Sequence, residues 1–216
     1  MTANGHPRFA DHRVERAVAS DGAVLSHVIA EAFYCLAVSQ WLVPDPDARR
    51  AIFPSYFGML VDQALVEGDV LTTPGRDAVA LWMTVGPEGP GKPPRGYHDL
   101  LTSFTGPHLA RFEALDEQFE HHHPTGILHE HLAILAVRPD RQRLGIGRAL
   151  LNKRHADLDR DGTPAYLEAS DLITREIYLA HGYADHGEPI QLPNGPQMYP
   201  MMRTPQNDEG ASGGRM

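Results

Sequence analysis

The residues with the clearest chemical purpose lie at 141–148, where three arginines and two glycines occur in a chain of net charge -9. Before them, residues 132–137 form an apolar run of strand length, and after them apolar residues recur at helical spacing. The start of a helix leaves backbone N–H groups without partners, with the positive end of the helix dipole behind them. Gly145 and Gly147 have no Cβ, so an anion can approach the backbone closely. We therefore predict a phosphate-binding turn over residues 142–147.

The spacing of the glycines excludes two common nucleotide-binding loops. The turn has neither Gly-x-Gly-x-x-Gly after the strand nor Gly-Lys-Ser/Thr at its end. Gln142, Gly145 and Gly147 instead match the signature Gln/Arg-x-x-Gly-x-Gly/Ala, and on these residues the chain resembles the GNAT superfamily of N-acetyltransferases. The resemblance implies that acetyl-CoA is the acyl donor and that its pyrophosphate binds this turn.

The resemblance also implies how the rest of the cofactor binds. In GNAT enzymes, backbone groups of the strand before the turn pair with the pantetheine arm. Thr174 stands where relatives often carry an asparagine that contacts this arm, and a hydroxyl keeps only part of the hydrogen-bonding capacity of an amide. The implied cofactor-binding residues are Leu135, Ala136, Val137, Gln142, Arg143, Leu144, Gly145, Ile146, Gly147, Arg148 and Thr174.

Acetyl transfer from a thioester to an amine requires a proton donor for the departing thiolate. Tyr178 stands where the family carries its catalytic tyrosine, five residues before Tyr183, the aromatic residue that we expect to be structural. A phenol with a pKa of about 10 stays protonated until a thiolate forms, because the corresponding thiol has a pKa of about 8.5. The resemblance therefore implies that Tyr178 is the general acid.

The transfer also requires a deprotonated amine, which a general base can supply. His131 lies eleven residues before Gln142, where some GNAT enzymes carry a histidine or glutamate base, although many members use none. An imidazole changes charge near neutral pH and can accept the proton directly or through water. Glu130 is the second candidate base, and strand alternation places it on the opposite face from His129 and His131.

Several histidines near this strand raise the question of a metal site. His121, His122, His123, His129 and His131 fall within eleven residues, and imidazole is a common zinc ligand. Consecutive histidines, however, do not have the i, i+4 spacing of a helical site, and no cysteine is near. We expect no metal, and a metal-binding protein remains an alternative hypothesis.

Composition places the chain among ordinary globular proteins. Of its 216 residues, 42% are hydrophobic and 22% are charged, and no apolar run approaches the roughly 20 residues that span a bilayer. The N-terminus lacks the apolar segment of a signal peptide, so we expect a cytoplasmic protein without a membrane partner. The negative charge argues against nucleic acid and favours an amine-bearing partner. The single cysteine, Cys35, is expected to be packed in the core.

Hydrophobic periodicity predicts an α/β (α+β) protein. The predicted strands cover residues 13–18, 69–73, 78–85, 132–137, 165–170, 183–192 and 197–203, and the predicted helices cover residues 23–34, 48–67, 97–120, 147–158 and 171–181. This order resembles the GNAT fold, which implies a mixed, mostly antiparallel sheet of six to seven strands flanked by helices. We expect a flexible lead-in at 1–11, one domain at 12–204 and a disordered tail at 205–216. Asp47 is expected to cap the second helix, and Pro54 to kink or split it.

The carboxyl half resembles one branch of the superfamily in particular. Residues 167–170, 178–183 and 193–203 are similar to puromycin N-acetyltransferase and its actinobacterial relatives. The first hypothesis is therefore an N-acetyltransferase, monomeric or homodimeric, acting on a small-molecule amine such as an antibiotic. A protein or peptide amine is the rival acceptor, and a non-catalytic acyl-CoA-binding regulatory module is the rival class.

Overall fold

The structure is a computed structural model that describes residues 12–90, 93 and 96–206. The predicted lead-in and all of the predicted tail except residues 205 and 206 lie outside the described residues. The helices are α1 (Gly22–Phe33), α2 (Ala37–Leu42), α3 (Pro46–Glu67), α4 (Tyr97–Thr105), α5 (Leu109–His122), α6 (Ile146–Asp161) and α7 (Leu172–Leu179). The strands are β1 (Glu15–Arg16), β2 (Asp69–Thr72), β3 (Ala78–Val85), β4 (His129–Val137), β5 (Ala165–Ala169), β6 (Ala184–Asp185), β7 (Ile190–Gln191) and β8 (Gln197–Arg203).

These strands form a mixed sheet in the order β1-β2-β3-β4-β5-β8-β6, with β7 paired to β8. Every pairing is antiparallel except that of β4 with β5, which is parallel. The predicted mixed, mostly antiparallel sheet is confirmed. Within the described residues it has eight strands, because the segment predicted as one strand, residues 183–192, forms two strands of two residues each.

A core covers each face of the sheet. The first face packs against α1, α3 and α5, and its buried residues include Leu25, Ile29, Phe53, Phe112 and Ile134. The second face packs against α6, and its buried residues include Trp82, Leu132, Leu150, Leu158 and Leu167. β3 and β4 pair along their whole length, so the segment that joins them, including α4 and α5, is an insertion folded over the first face.

Local chemistry explains where the helices begin and corrects two expectations. The α3 helix begins at Pro46 because the Asp45 side chain accepts a hydrogen bond from the Ala48 N–H at 2.7 Å, so Asp45 rather than Asp47 is the cap. Pro54 lies within this helix and does not split it. Cys35 is exposed, because it follows the end of α1 instead of continuing its buried face, so the prediction of a packed cysteine was wrong.

No helix in the described part of the chain combines the length and the apolar character needed to cross a membrane.

Candidate active site

The middle of the sheet opens where β4 separates from β5. Only Glu130 and His131 of β4 pair with β5, although β4 continues to Val137. The pairing of β4 with β3 is irregular between Leu81 and Trp82, and Ala133 has no partner in β3. This is a β-bulge, which bends a strand and increases its twist. The rest of β4 therefore diverges from β5, and Ala133 is exposed in the middle of a central strand.

The three residues predicted to bind the pantetheine arm lie along this opening. Leu135, Ala136 and Val137 pair with β3 on one side and, within the described residues, have no pairing with β5 on the other. A strand that lacks one neighbour presents unpaired N–H and C=O groups on that side. An extended amide-containing chain can hydrogen-bond there as an additional strand.

The predicted phosphate turn is an uncapped helix start. Gly145 has φ 89° and is the N-cap of α6, but it provides no side-chain cap, and the first turn contains no acidic residue. Among the described residues, no backbone acceptor pairs with the N–H groups of Leu144, Gly145, Ile146 and Gly147. These four donors lie at the positive end of a helix of 16 residues. The arrangement fits a diphosphate, which supplies acceptor oxygens and negative charge together.

The turn is held in place by its own side chains and by its neighbours. The Gln142 side-chain amide donates to the Val137 carbonyl at 3.0 Å and ties the turn to the end of β4. Arg143 has φ 61°, a left-handed conformation that is strained for a residue with a side chain. Ile146 is 2% exposed, so only its backbone is available to a ligand. Arg141 forms an ion pair with Asp77 at 3.0 Å, and part of its charge is therefore neutralised.

Tyr178 lies on the second face of the sheet, in the helix α7, which packs on β5, the strand at one side of the opening. Its ring packs against the core that includes Leu167 and contacts the Tyr183 ring at 5.6 Å between centroids. Its hydroxyl has no hydrogen-bond partner among the described residues and is not fully buried. Burial, and to a smaller extent the charge of Asp171, raise the pKa of Tyr178. The phenol therefore stays protonated at neutral pH. Tyr183 is buried, and its hydroxyl forms a hydrogen bond with His155 Nε2 at 3.1 Å.

Glu130 and His131 lie on opposite faces, as strand alternation predicts. Glu130 is 5% exposed, accepts a hydrogen bond from the Thr84 hydroxyl, and forms an ion pair with Arg154 of α6 at 2.7 Å. A buried carboxylate that is paired with an arginine is a structural group rather than an available base. The geometry therefore argues against the proposed catalytic role of Glu130, because its side chain points away from His131 into the contact with α6.

His131 lies on the first face and has buried partners that the sequence analysis did not identify. Its Nε2 lies 2.9 Å from Oε2 of Glu168, a residue of β5. The other oxygen, Oε1, lies 4.0 Å from Nδ1 of His123, which follows α5. The His131 side chain is 18% exposed, whereas those of Glu168 and His123 are 5% and 4% exposed. His131 is thus the member of this group that a substrate can reach.

The same three side chains are the candidate metal ligands among the described residues. One ligand atom from each of His123, His131 and Glu168 lies within 4.8 Å of the others. His123 follows α5, His131 lies in β4 and Glu168 lies in β5. The cluster therefore differs from the run of adjacent histidines in the sequence. The 2.9 Å contact between His131 and Glu168 is a hydrogen-bond distance, which a proton between the two atoms explains.

Thr174 is occupied in capping α7. Its hydroxyl lies 3.0 Å from Asp171 Oδ1 and 3.1 Å from the Asp171 carbonyl, while its N–H donates to Asp171 Oδ1 at 2.7 Å. Asp171 is the N-cap of this helix. The same contacts compete with a hydrogen bond from the hydroxyl to the pantetheine arm.

Comparison with known proteins finds a family match in the carboxyl part of the chain. Residues 122–205 match the family described as acetyltransferase (GNAT) domain. This match spans less than half of the 216 residues but includes β4, the phosphate turn, α6, β5 and α7. No curated protein sequence matches the chain.

Solved structures show that the likeness extends beyond the matched segment. A histone acetyltransferase HPA2 and related acetyltransferase from Corynebacterium glutamicum has a TM-score of 0.68 at 23% identity, over 92% of this chain and 99% of the other. Arylalkylamine N-acetyltransferase 2 from Aedes aegypti has a TM-score of 0.56 at 13% identity, over 90% and 99%. The PaiA N-acetyltransferase from Thermoplasma acidophilum, solved in complex with coenzyme A, has a TM-score of 0.55 at 9% identity, over 89% and 98%.

The chain therefore has the GNAT fold, and its residues 122–205, which include the predicted phosphate turn, His131 and Tyr178, match the GNAT acetyltransferase domain family.

Proposed function

We propose that the protein is an acetyl-CoA-dependent N-acetyltransferase that acts on the amine of a small molecule by direct attack on the thioester. The observation that carries the proposal is the coincidence of three features at one opening in the sheet. Unpaired backbone groups line the opening along β4, uncapped N–H groups lie at its end, and Tyr178 and His131 lie on opposite faces beside it. Each feature performs one of the tasks that acetyl transfer requires.

The phosphate turn and β4 bind and orient the acyl donor. In this assignment the N–H groups of residues 144–147 hold the pyrophosphate, with Arg143 and Arg148 adding positive charge, and the backbone of residues 135–137 pairs with the pantetheine arm. Thr174 contributes at most a weak contact, because its hydroxyl is engaged with Asp171. Acetyl-CoA supplies the activated acetyl group as a thioester. Holding donor and amine together converts a bimolecular step into an effectively unimolecular one.

His131 and Tyr178 move the two protons of the reaction. The nitrogen–carbon bond forms as the carbon–sulfur bond breaks, which yields an amide and a thiol. His131 accepts the proton that the amine nitrogen loses, either directly or through water. Tyr178 donates a proton to sulfur, and its raised pKa keeps this proton in place until the thiolate develops.

The acceptor that we favour is a small molecule rather than a peptide. The insertion with α4 and α5 covers part of the first face, and its last turn leads to His123 beside the Glu168 carboxylate that binds His131. On the same face, the Trp41 indole N–H donates to the Pro193 carbonyl at 2.9 Å and connects α2 to the turn before β8. We infer that this cover leaves less space for an extended peptide than for a small molecule. The resemblance to puromycin N-acetyltransferase supports an antibiotic or another amine-bearing metabolite.

A screen of amines with a thiol-release assay tests the proposal. Purified protein is mixed with acetyl-CoA and either a panel of small primary amines or a panel of peptides with free N-termini, and each acetylated product is confirmed by mass. We expect amine-dependent thiol release with small amines and little with peptides. Faster turnover of peptides would reverse the acceptor assignment. Tight coenzyme A binding without thiol release on any amine would favour the non-catalytic module.

A further inference from the structure

The proposed base has only one of its two ring nitrogens engaged. His131 Nε2 lies 2.9 Å from Glu168 Oε2, whereas Nδ1 has no hydrogen-bond partner among the described residues. An ionised carboxylate can only accept a hydrogen bond, so the proton of the neutral imidazole lies on Nε2. Nδ1 therefore carries the lone pair, and it belongs to the side chain of the cluster that solvent reaches most easily.

The surroundings of Glu168 favour its ionised form. Burial alone would raise the pKa of Glu168, but the adjacent His131 outweighs this effect and holds the pKa below its usual value. The Glu168 side chain is 95% buried, and its Oε1 has no hydrogen-bond donor among the described residues. The carboxylate is therefore fixed in position, and its strongest contact is the hydrogen bond to His131.

Hydrogen bonds among the neighbouring histidines show which group can neutralise this carboxylate. His129 Nδ1 lies 3.0 Å from the Ile127 carbonyl and must donate to it, so His129 Nε2 accepts from His123 Nε2–H at 3.0 Å. His123 then presents the lone pair of Nδ1 toward Glu168 Oε1. Burial lowers the pKa of His123 to about 4, so His123 stays neutral near pH 7. His131 is consequently the histidine of this cluster best placed to carry the positive charge that Glu168 stabilises.

We propose that Glu168 is a positioning residue that fixes the proton of His131 on Nε2 and so makes Nδ1 the atom that receives the proton of the acceptor amine. The part of this proposal that concerns the acceptor amine rests on the proposed function. The part that concerns the His131 tautomer does not. When His131 gains its second proton, the adjacent carboxylate stabilises the imidazolium. A carboxylate behind a histidine acts in this way in the serine hydrolase triad, where it orients the ring and sets the tautomer.

The substitution Glu168→Gln tests this role while keeping the shape of the side chain. An amide can donate to Nε2, which moves the proton to Nδ1 and blocks the base. We expect kcat to fall roughly 10- to 100-fold, with the KM for acetyl-CoA changed less than about twofold. Glu120→Gln, at an exposed position of α5, is the control for net charge.

The tautomer must be assigned to His131 rather than to the titratable groups that surround it. The titratable groups around this ring are Glu168 and Tyr166 of β5, His123 after α5, and His129 on its own strand, with His186 next to Tyr166. Nitrogen-15 NMR of imidazole-labelled wild-type protein reads the tautomer of His131 directly, with His131→Gln used for the resonance assignment. We expect Nε2–H in the neutral form.

The outcomes separate the two proposals. A neutral His131 protonated on Nδ1 in the wild type would overturn the positioning role, whether or not any amine is acetylated. A kcat of Glu168→Gln equal to that of the wild type would also overturn it. Stoichiometric zinc that the wild type retains and Glu168→Gln loses would overturn it too, since a metal would then take the place of the proton. Absence of turnover in the wild type counts against the proposed function, and the NMR result still decides the tautomer.

Discussion

Replacing Tyr178 with phenylalanine removes the proposed general acid with little disturbance of the fold. The Tyr178 hydroxyl has no hydrogen-bond partner among the described residues, so the substitution leaves no polar atom unpaired. The ring remains able to pack on Tyr183 at the observed centroid distance of 5.6 Å. We therefore expect the free energy of unfolding to change by less than about 0.5 kcal/mol.

The expected effect on the rate follows from the surroundings of the phenol. A positioned general acid contributes about 10²- to 10⁴-fold to a rate. Burial raises the pKa of Tyr178 and makes it a weaker acid, so the lower end of this range applies. We expect Tyr178→Phe to lower kcat about 100-fold, equivalent to about 2.7 kcal/mol of transition-state stabilisation. The raised pKa also predicts that loss of this proton does not reduce the wild-type rate between pH 7 and about 9.5.

Thiol release at saturating amine measures kcat, and calorimetric titration with coenzyme A measures binding. The dissociation constant for coenzyme A should change less than about twofold, because the phenol acts on sulfur only as the bond breaks. A kcat within twofold of the wild type would remove Tyr178 from the mechanism. A loss that resides wholly in coenzyme A binding would make the residue a binding group and refute the acid role.

Two further predictions concern the phosphate turn and the buried histidines. Gly145→Ala should cost about 1 to 2 kcal/mol and raise the dissociation constant for coenzyme A roughly tenfold in calorimetry, because φ 89° is strained for alanine and the N–H groups of the turn no longer converge. Gly147→Ala, in the same turn, is the matched control for stability alone. A Cβ there lies 3.6 Å from the nearest side-chain atom, so thermal melts should show unchanged or higher stability. Wild-type coenzyme A binding by Gly145→Ala would refute the assignment of the turn. Burial, with a smaller effect of Arg203, lowers the pKa of His155 from 6.5 to about 3, so stability is complete above pH 6.5 and is lost as the pH falls toward 3. Between pH 7 and pH 5, urea unfolding of the wild type should lose about 2 kcal/mol more than that of His155→Leu, and equal losses would contradict the assignment.

Short-range patterns predicted the elements that position the site, and these patterns account for most of the fold. The apolar run and the glycines predicted the strand, turn and helix at 132–158, because these elements are determined by residues close together in the sequence. Strand alternation correctly placed the side chains of Glu130 and His131 on opposite faces of β4. The ends of irregular segments were less predictable. Asp45 and Asp47 are both suitable caps, and only the backbone geometry distinguishes them.

The parts of the site that the sequence did not predict depend on contacts between distant residues. The bulge at Ala133 lies inside an apolar run. Because all residues of this run are apolar, the sequence does not show where the side chains change face. Glu168 lies 37 residues from His131, and their contact requires the parallel register of β5 on β4. His123 reaches the same place only because the insertion between β3 and β4 folds back over the first face. The sequence does show an acidic residue inside an apolar strand, and this was the available signal for Glu168.

The two residues proposed to transfer protons lie on opposite faces of the sheet. Tyr178 approaches the opening from the face covered by α6, and His131 lies on the face covered by α1, α3 and α5. A thioester held in the opening can therefore lose thiol toward one face and meet an amine from the other. The bulge and the short pairing of β4 with β5 make this possible, because a continuous sheet would separate the two groups.

A crystal structure of the protein with coenzyme A tests the central claim most directly. We predict that the pyrophosphate oxygens lie within about 3 Å of the backbone nitrogens of residues 144–147, and that the pantetheine arm lies between β4 and β5 with its sulfur next to the Tyr178 hydroxyl. A diphosphate bound elsewhere, or a sulfur turned away from Tyr178, would contradict the account.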